Sequence, residues 1–257
     1  MHNHFQIDYI AYNSHIRNWN AGYKLLFMAA SIITVIIADN VLVSVYTLVF
    51  MGFINIFIAR LSPKEYLKVM KIPAAFILLG SIAIGICFSS TPKGIFSLDI
   101  GFTYLCLTKE NTSQMFSIIL KAFGAVSAMY VVTLSTPVCE IIAELKKLHI
   151  PGIFIELMYL IYRYIFILFD AVHKMQDSGK SRLGYTSFKA SCRSFSMILG
   201  NLLIISLKNS RNYYNAMEAR CYNGQLEFYT EKKALTRPQA ILTLIYFIFF
   251  IIIKVCL

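Results

Sequence analysis

Five long blocks of apolar residues constrain the fold more than any other feature of this sequence. They lie at 25–38, 41–59, 72–88, 115–134 and 240–255. A helix needs about 20 mostly apolar residues to cross a bilayer, and these blocks approach or reach that length. The chain is 58% hydrophobic and 14% charged, whereas soluble domains have about 25% charged residues. We therefore predict an all-α, multi-pass protein of the inner (cytoplasmic) membrane with about five transmembrane helices.

The distribution of basic residues predicts the orientation of these helices. The net charge is +11, and the basic residues collect in the segments 60–71 and 135–238, while 89–114 has no basic excess. Basic loops of membrane proteins lie on the cytoplasmic side. We therefore expect a cytoplasmic N-terminus and a lipid bilayer, rather than nucleic acid, as the reason for the positive charge. Residues 1–20 are polar and show no cleavable signal peptide.

The segment 153–169 can be interpreted in two ways. It has 17 mostly apolar residues and could span, but it carries Glu156 and Arg163 and continues into a polar stretch. The next apolar run, 197–207, is too short to cross. If both crossed, basic residues in 170–196 would lie outside, against the charge rule. We predict two long amphipathic helices at the cytoplasmic interface.

This interpretation divides the chain into three regions. Residues 1–134 hold the N-terminal cytoplasmic segment and four transmembrane helices, residues 135–238 form a coupling region, and residues 239–257 form the last transmembrane helix.

The sequence contains little that could perform catalysis. There is no Walker lysine loop, no HExxH and no GxSxG. The six cysteines are scattered without a CxxC pair, so we expect free thiols. His2, His4 and His15 lack a nearby carboxylate or cysteine cluster, which favours an interfacial segment over a metal site. We predict a non-catalytic protein that has no catalytic residue, no metal site and no bound cofactor.

Two other classes of membrane protein fit the sequence less well. A polytopic membrane enzyme would need paired acids or a metal cluster facing the membrane. A self-contained secondary carrier would show internal repeats, broken spans and ionisable groups at mid-membrane. Lys121 is the exception among almost uncharged spans, and we expect it to extend toward the outer surface. We therefore expect the energy for any transport to come from elsewhere than ion or proton coupling in these spans.

Two short arginine motifs stand in the charged region, Ser181-Arg182-Leu183 and Ala219-Arg220-Cys221. Each lies at the end of a helical pattern, and Gly184 and Gly224 follow as candidate helix stops. Two ordinary helix ends with a basic last turn would explain the same pattern. An arginine at a helix end is also suited to docking on carboxylates or carbonyls of a partner.

The sequence around these motifs resembles the transmembrane (T) component of energy-coupling factor transporters. Residues 210–224, SRNYYNAMEARCYNG, are similar to the second signature of that family. Residues 163–170 and 175–184 resemble the helix leading into the first signature, and 145–152 the join before it. The similarity to the cobalt-type, CbiQ-like branch covers nearly the whole chain, including residues 8–24.

The resemblance implies a role for each motif. A T component joins two ABC-type ATPases to a small substrate-binding membrane subunit, and ATP with its magnesium is bound by the ATPases. Carried over, Arg182 and Arg220 would dock on the ATPases, flanked by Ser181, Leu183, Ala219 and Cys221. The chain departs from the usual small residues at Leu183 and, where glycine is common, at Cys221.

The resemblance also implies a contact surface and a cargo. The apolar face of 153–169, including Ile161 and Ile165, would meet the substrate-binding subunit. Cobalt or nickel is the expected cargo. A vitamin is the alternative, since the residues that bind and select the cargo would belong to another subunit.

Overall fold

The computed structural model describes residues 6–85, 87–89, 96–99, 104–107, 109–224 and 233–255. Helices dominate these residues, as the sequence predicts. The chain divides into two compact units, residues 1–137 together with 231–257, and residues 138–230.

The first unit contains most of the apolar helices. They are α1 (Gln6–Asn13), α2 (Ala21–Ala38), α3 (Val41–Phe53), α4 (Pro63–Gly85), α5 (Lys109–Thr133) and α9 (Arg237–Val255). A 3₁₀ turn, His15–Asn18, follows α1, and a π-helical segment, Ile54–Ile58, extends α3. The second unit contains α6 (Val138–Lys147), α7 (Gly152–Ser181) and α8 (Phe188–Glu218).

Short polar turns set the helix ends of the first unit. The side chain of Asn20 accepts a hydrogen bond from the Tyr23 amide and so caps α2. Asp39 ends α2 in a left-handed conformation, and Asn40 caps α3 by accepting from the Leu42 amide. The Ser62 hydroxyl accepts from the Glu65 amide, with Pro63 as the first residue of α4.

The structure corrects two sequence-based boundaries. Most of the basic segment 60–71 and the predicted span from residue 72 form one continuous helix, α4, which passes through Pro73. Between residues 87 and 107, at the end of the predicted third span and within the predicted 89–114 loop, the described residues form three short strands that pair in the order β1-β3-β2. They are β1 (Cys87–Ser89), β2 (Phe96–Asp99) and β3 (Tyr104–Leu107), all antiparallel.

More helices could cross a membrane than the five that the sequence predicts. In the described part of the chain, seven helical segments are long and apolar enough: α2, α3 with its π-helical extension, α4, α5, α7, α8 and α9. The two additional helices are α7 and α8. The polar residues that flank the apolar runs 153–169 and 197–207 belong to the same helices, which are therefore 30 and 31 residues long.

Close packing of α3 against α5 forms the centre of the first unit. A Cβ atom added to Gly124 of α5 would lie 3.1 Å from the Ser44 carbonyl oxygen of α3. The absence of a side chain therefore lets the two backbones approach, as at other small-residue helix contacts in membranes. Met51 and Ile54 from α3 and its extension and Ala128 from α5 are fully buried beside this contact.

An ion pair joins α5 to the turn between α2 and α3. The Lys121 ammonium group bonds the Asp39 carboxylate, and the Lys121 side chain is 26% exposed. The sequence predicts that Lys121 reaches toward the surface. The structure gives its charge a specific partner at the end of α2, the Asp39 carboxylate, whose side chain is 77% exposed.

Tyr246 attaches the last helix, α9, to the bundle. Its side chain is 0% exposed, and its hydroxyl lies 3.1 Å from the hydroxyl oxygens of both Thr34 in α2 and Thr47 in α3. The ring packs edge-on against Phe27 and stacks with Tyr46. A buried tyrosine hydroxyl needs such partners, because no water satisfies it in a membrane.

Two replacements of Tyr246 should separate the contribution of its hydroxyl hydrogen bonds from that of its ring packing. Tyr246→Phe removes the hydroxyl bonds and should lower the free energy of unfolding by about 1 kcal/mol. Tyr246→Ala also removes the ring, which should cost about 3–5 kcal/mol. Unfolding in detergent measures both, with Tyr9→Phe at an exposed position as the control. Equal effects of Tyr246→Phe and Tyr9→Phe would contradict this role of the hydroxyl.

Candidate docking surface

The second unit begins with α6, which packs against the start of α7. The Tyr159 hydroxyl of α7 donates to the Cys139 carbonyl of α6 at 2.9 Å. Ile142 and Ile155 are the buried apolar residues of these two helices. His149, between the helices, has a φ of +59°, so it belongs to the turn and not to a polar helix face.

Helices α7 and α8 form an antiparallel pair. Near the connection between them, the Ser194 hydroxyl of α8 donates to the Gly184 carbonyl at 2.7 Å. Farther along, the Tyr213 ring of α8 lies 5.1 Å from the Tyr164 ring and 5.2 Å from the Arg163 guanidinium carbon. The second contact is a cation–π interaction.

The same pair is connected at its other end by a hydrogen bond. The Tyr222 hydroxyl, just beyond α8, donates to the Glu156 carboxylate of α7 at 3.0 Å. This bond raises the pKa of Tyr222 above its usual value, because ionisation would remove the donated proton and place a phenolate beside the Glu156 carboxylate. Glu156 contacts Tyr222 just beyond α8, and Arg163 contacts Tyr213 of α8, so both charged residues face the α8 side in the same chain.

The first arginine motif is the C-terminal cap of α7. The Leu183 amide donates to the Lys180 carbonyl at 3.0 Å, and the Gly184 amide donates to the Gly179 carbonyl at 2.9 Å. Leu183 has a φ of +56°. This pair of bonds around a left-handed residue is the Schellman motif, and it places Arg182 at the last position before the left-handed residue.

The second arginine motif repeats this geometry at the end of α8. The Cys221 amide donates to the Glu218 carbonyl at 3.0 Å, and the Tyr222 amide donates to the Met217 carbonyl at 3.1 Å. Cys221 has a φ of +62°. By hydrogen-bond pattern Arg220 occupies the position in its motif that Arg182 occupies in the first, and both arginines are exposed.

The predicted helix stops at Gly184 and Gly224 are wrong in their mechanism. The left-handed residue is the one directly after each arginine, Leu183 or Cys221, because the Schellman bonds close there. A Cβ at Gly184 would lie 2.6 Å from the Ser194 hydroxyl oxygen, so this glycine allows α8 to approach. Gly224 has a φ of +88°, but it lies three residues beyond Cys221.

The antiparallel pairing places the two arginines at opposite ends of the helix pair. Helix α7 has 30 residues, which corresponds to about 45 Å at the rise of an α-helix. An antiparallel helix pair has approximate two-fold symmetry, and the two identical caps follow it. The sequence shows how far apart the two motifs are along the chain. Their position at opposite ends of the helix pair follows only from the antiparallel pairing.

The other predicted contact residues lie on an exposed apolar stripe of α7. Ile161 is 56% exposed and Ile165 is 44% exposed. Apolar residues repeat at intervals of four along α7, so that each lies near the next on the helix surface, and all are exposed: Ile153, Leu157, Ile161, Ile165 and Phe169.

Sequence reasoning missed the aromatic residues that hold the pair together. Tyr213 and Tyr222 both lie within the second signature, but their partners are about 50 or more residues away in the sequence. The unusual density of tyrosine in residues 210–224 was the available signal.

No group of three histidine, cysteine or acidic residues that could hold a metal ion occurs among the described residues. His2 and His4 lie outside the described residues, so the prediction about them remains open to experiment.

Comparison with known proteins decides the family. Residues 12–230, which include both arginine motifs, match the CbiQ family, described as cobalt transport protein. The chain belongs to the CbiQ family. It is thus a multi-pass membrane protein of a transport family and not an enzyme, and the resemblance inferred from the signatures is confirmed.

Relatives of this CbiQ-family chain cover most of its length. The cobalt transport protein CbiQ of Salmonella typhimurium is 24% identical over 85% of this chain and 97% of its own length. An uncharacterised protein of Methanocaldococcus jannaschii is 23% identical over 87% of this chain and 83% of its own.

A third relative is a longer protein. The putative fused cobalt transport protein CbiMQ of Methanocorpusculum labreanum is 27% identical over 90% of this chain. The present chain spans 38% of the length of that protein.

The left-handed conformation of two non-glycine residues leads to a test of the caps. Leu183→Gly and Cys221→Gly should each stabilise their helix end by about 0.5–1 kcal/mol, because glycine adopts this conformation without steric cost. Ala219→Gly, two residues before Cys221 and in a helical conformation, should have the opposite sign and a similar size. Amide hydrogen exchange at 179–184 measures the effect of Leu183→Gly, and exchange at 217–222 measures the effects of Cys221→Gly and Ala219→Gly. The same sign for Cys221→Gly and Ala219→Gly would contradict the assigned cap.

Proposed function

We propose that this chain is the energy-coupling subunit of an ATP-driven uptake transporter. In this proposal it links two ABC-type ATPases to a substrate-binding membrane subunit and contributes to the import of cobalt ions. The observation that carries the proposal is the pair of exposed arginines with matching caps at opposite ends of α7 and α8.

The symmetry of the arginines supports two similar partners. Identical backbone geometry presents Arg182 and Arg220 in the same way relative to their own helices, and the antiparallel pairing relates the two ends by an approximate two-fold axis. A dimer of similar ATPases would offer two equivalent grooves about one helix length apart. Each groove would bind one guanidinium group through carboxylates or carbonyl oxygens.

The helix pair is suited to transmit movement. Contacts along its length, from Ser194 to Tyr222, hold α7 and α8 together. If each end is attached to one ATPase, a change in the distance between the ATPases on ATP binding would tilt or rotate the pair. In this proposal ATP and magnesium are bound by the ATPases and none by this chain.

The exposed apolar stripe of α7 would contact the substrate-binding subunit. Ile161 and Ile165 lie on the opposite side of α7 from Glu156 and Arg163, which meet α8. We propose that α7 and α8 lie at the cytoplasmic interface, because a crossing would place the basic segment 170–196 outside. A relative named as a fusion of CbiM and CbiQ supports a membrane partner. The family description favours cobalt over nickel or a vitamin as the cargo.

Removing the arginines tests the ATPase attachment. Arg182→Ala or Arg220→Ala should each weaken one attachment, and the double variant should release the ATPases. Truncating one partner of a buried charged contact costs about 2–5 kcal/mol, which weakens binding well over tenfold. Lysine should restore binding incompletely, because it lacks the planar fork of arginine. Co-purification of the ATPases and transport of labelled Co²⁺ measure the effect.

Arg211→Ala is the matched control, since Arg211 is exposed on α8 but lies within the helix and not at its cap. Solvated arginines at helix ends would change binding by under about 1 kcal/mol. If the double variant reaches normal membrane levels, retains both ATPases and transports normally, the role assigned to the two arginines is wrong.

A charge on the apolar stripe tests the second partner. Ile161→Asp or Ile165→Asp should weaken retention of the substrate-binding subunit at least tenfold, because an unpaired carboxylate would be buried in the interface. ATPase retention should remain within twofold and serves as the internal control. Equal loss of both partners would indicate misfolding of the helix pair and would contradict a separate contact surface.

A further inference from the structure

Three residues at the start of α2 bond described backbone of the first unit close to both points where the chain passes to or from the second unit. The backbone leaves the first unit after Pro137 and returns to it at residue 231. Side chains of Asn20, Tyr23 and Lys24, here called the α2 anchor, bond the backbone on each side of this excursion. All of these contacts lie within the first unit.

Lys24 fixes the outgoing connection. Its ammonium nitrogen donates to the Ser135 carbonyl at 3.0 Å, two residues before the first unit ends. The residue is 1% exposed, and Ser135 and Thr136 are equally buried. Burying an ammonium group is expensive unless strong contacts compensate.

The position of Ser135 explains why a cation is stabilised there. The amides of Ser135 and Thr136 both donate to the Val132 carbonyl, so the chain is completing the last turn of α5. The carbonyl end of a helix carries partial negative charge, which favours a positive group. Lys24 therefore holds the end of α5 where the chain departs for α6.

Asn20 and Tyr23 fix the returning connection. The Asn20 amide nitrogen donates to the Lys233 carbonyl at 2.7 Å, while its oxygen caps α2. The Tyr23 hydroxyl donates to the Gln239 carbonyl in the first turn of α9. The Lys233 ammonium adds a bond of 2.7 Å to the Arg17 carbonyl, just before the anchor.

We infer that the α2 anchor is a positioning site for energy coupling, with Lys24 as its principal residue. The inference rests on the proposed function, because it assigns the anchor to the transfer of movement from the coupling helices. The chain passes from the first unit to the second after residue 137 and returns at 231. The start of α2 bonds the described first-unit backbone near each passage, at Ser135 and at Lys233. Loosening that turn uncouples ATP hydrolysis from transport without removing the ATPases.

The test uses the complete transporter with variants of the anchor. Lys24→Met keeps the length of the side chain but removes the ammonium group, and Tyr23→Phe removes one hydroxyl. Lys121→Met is the matched control, because Lys121 pairs with Asp39 at the other end of α2. Bound ATPases, ATP hydrolysis, labelled Co²⁺ transported per ATP, and amide exchange at 133–137 and 233–239 are measured.

The expected result for Lys24→Met is a tenfold or greater fall in Co²⁺ transported per ATP, with bound ATPases and ATP hydrolysis within twofold of the unmodified protein. Exchange at 133–137 should rise at least tenfold. Tyr23→Phe should raise exchange at 233–239 and lower transport per ATP at least threefold. Lys121→Met should change neither Co²⁺ transport per ATP nor amide exchange in either segment by more than twofold.

Two results would overturn the inference. Faster exchange with unchanged transport per ATP would make the anchor purely structural, and unchanged exchange would mean that it does not hold the connections. If Lys24→Met fails to reach the membrane, Tyr23→Phe decides between these outcomes. Failure of the unmodified chain to retain ATPases would instead refute the proposed function itself.

Discussion

The antiparallel pairing of α7 and α8 is the constraint on which the functional arrangement depends. Contacts at Gly184, Tyr213 and Tyr222 hold the two helices along most of their length. Because the helices run in opposite directions, their C-terminal caps lie at opposite ends. The same short motif thus presents an arginine twice, once at each end, as the proposed attachment to two similar ATPases requires.

In the first unit, polar side chains find partners among mostly apolar helices. Tyr246 shares its hydroxyl with two threonines, Lys121 pairs with Asp39, and Lys24 bonds the end of α5. An unsatisfied polar group inside a membrane costs several kcal/mol, so these contacts specify which helices meet. The chain's own polar side chains therefore position both the bundle and the two connections that leave it.

The sequence predicted the helical membrane fold, the family and the two arginine motifs, because apolar block length and a local signature are properties of neighbouring residues. It underestimated the number of helices that could cross a membrane, because the polar ends of α7 and α8 concealed the length of these helices. It also assigned the helix stops to glycines, whereas Leu183 and Cys221 adopt the left-handed conformation. A general preference for glycine does not reveal which residue closes a particular cap.

The partners of Lys24, Glu156 and Tyr246 were beyond sequence reasoning for a physical reason. Each contact joins residues that are far apart in the chain, 111 residues in the case of Lys24 and Ser135. Periodicity and charge counts describe one helix at a time, so they cannot identify which carbonyl or hydroxyl a side chain will meet.

Counting the ATPases bound to each chain tests the central claim most directly. Native mass spectrometry of the detergent-purified transporter should show two ATPase copies per chain in the unmodified complex. It should show one copy when either Arg182 or Arg220 is replaced by alanine. Two copies retained in both single variants, or a single copy in the unmodified complex, would contradict the account of two equivalent docking ends.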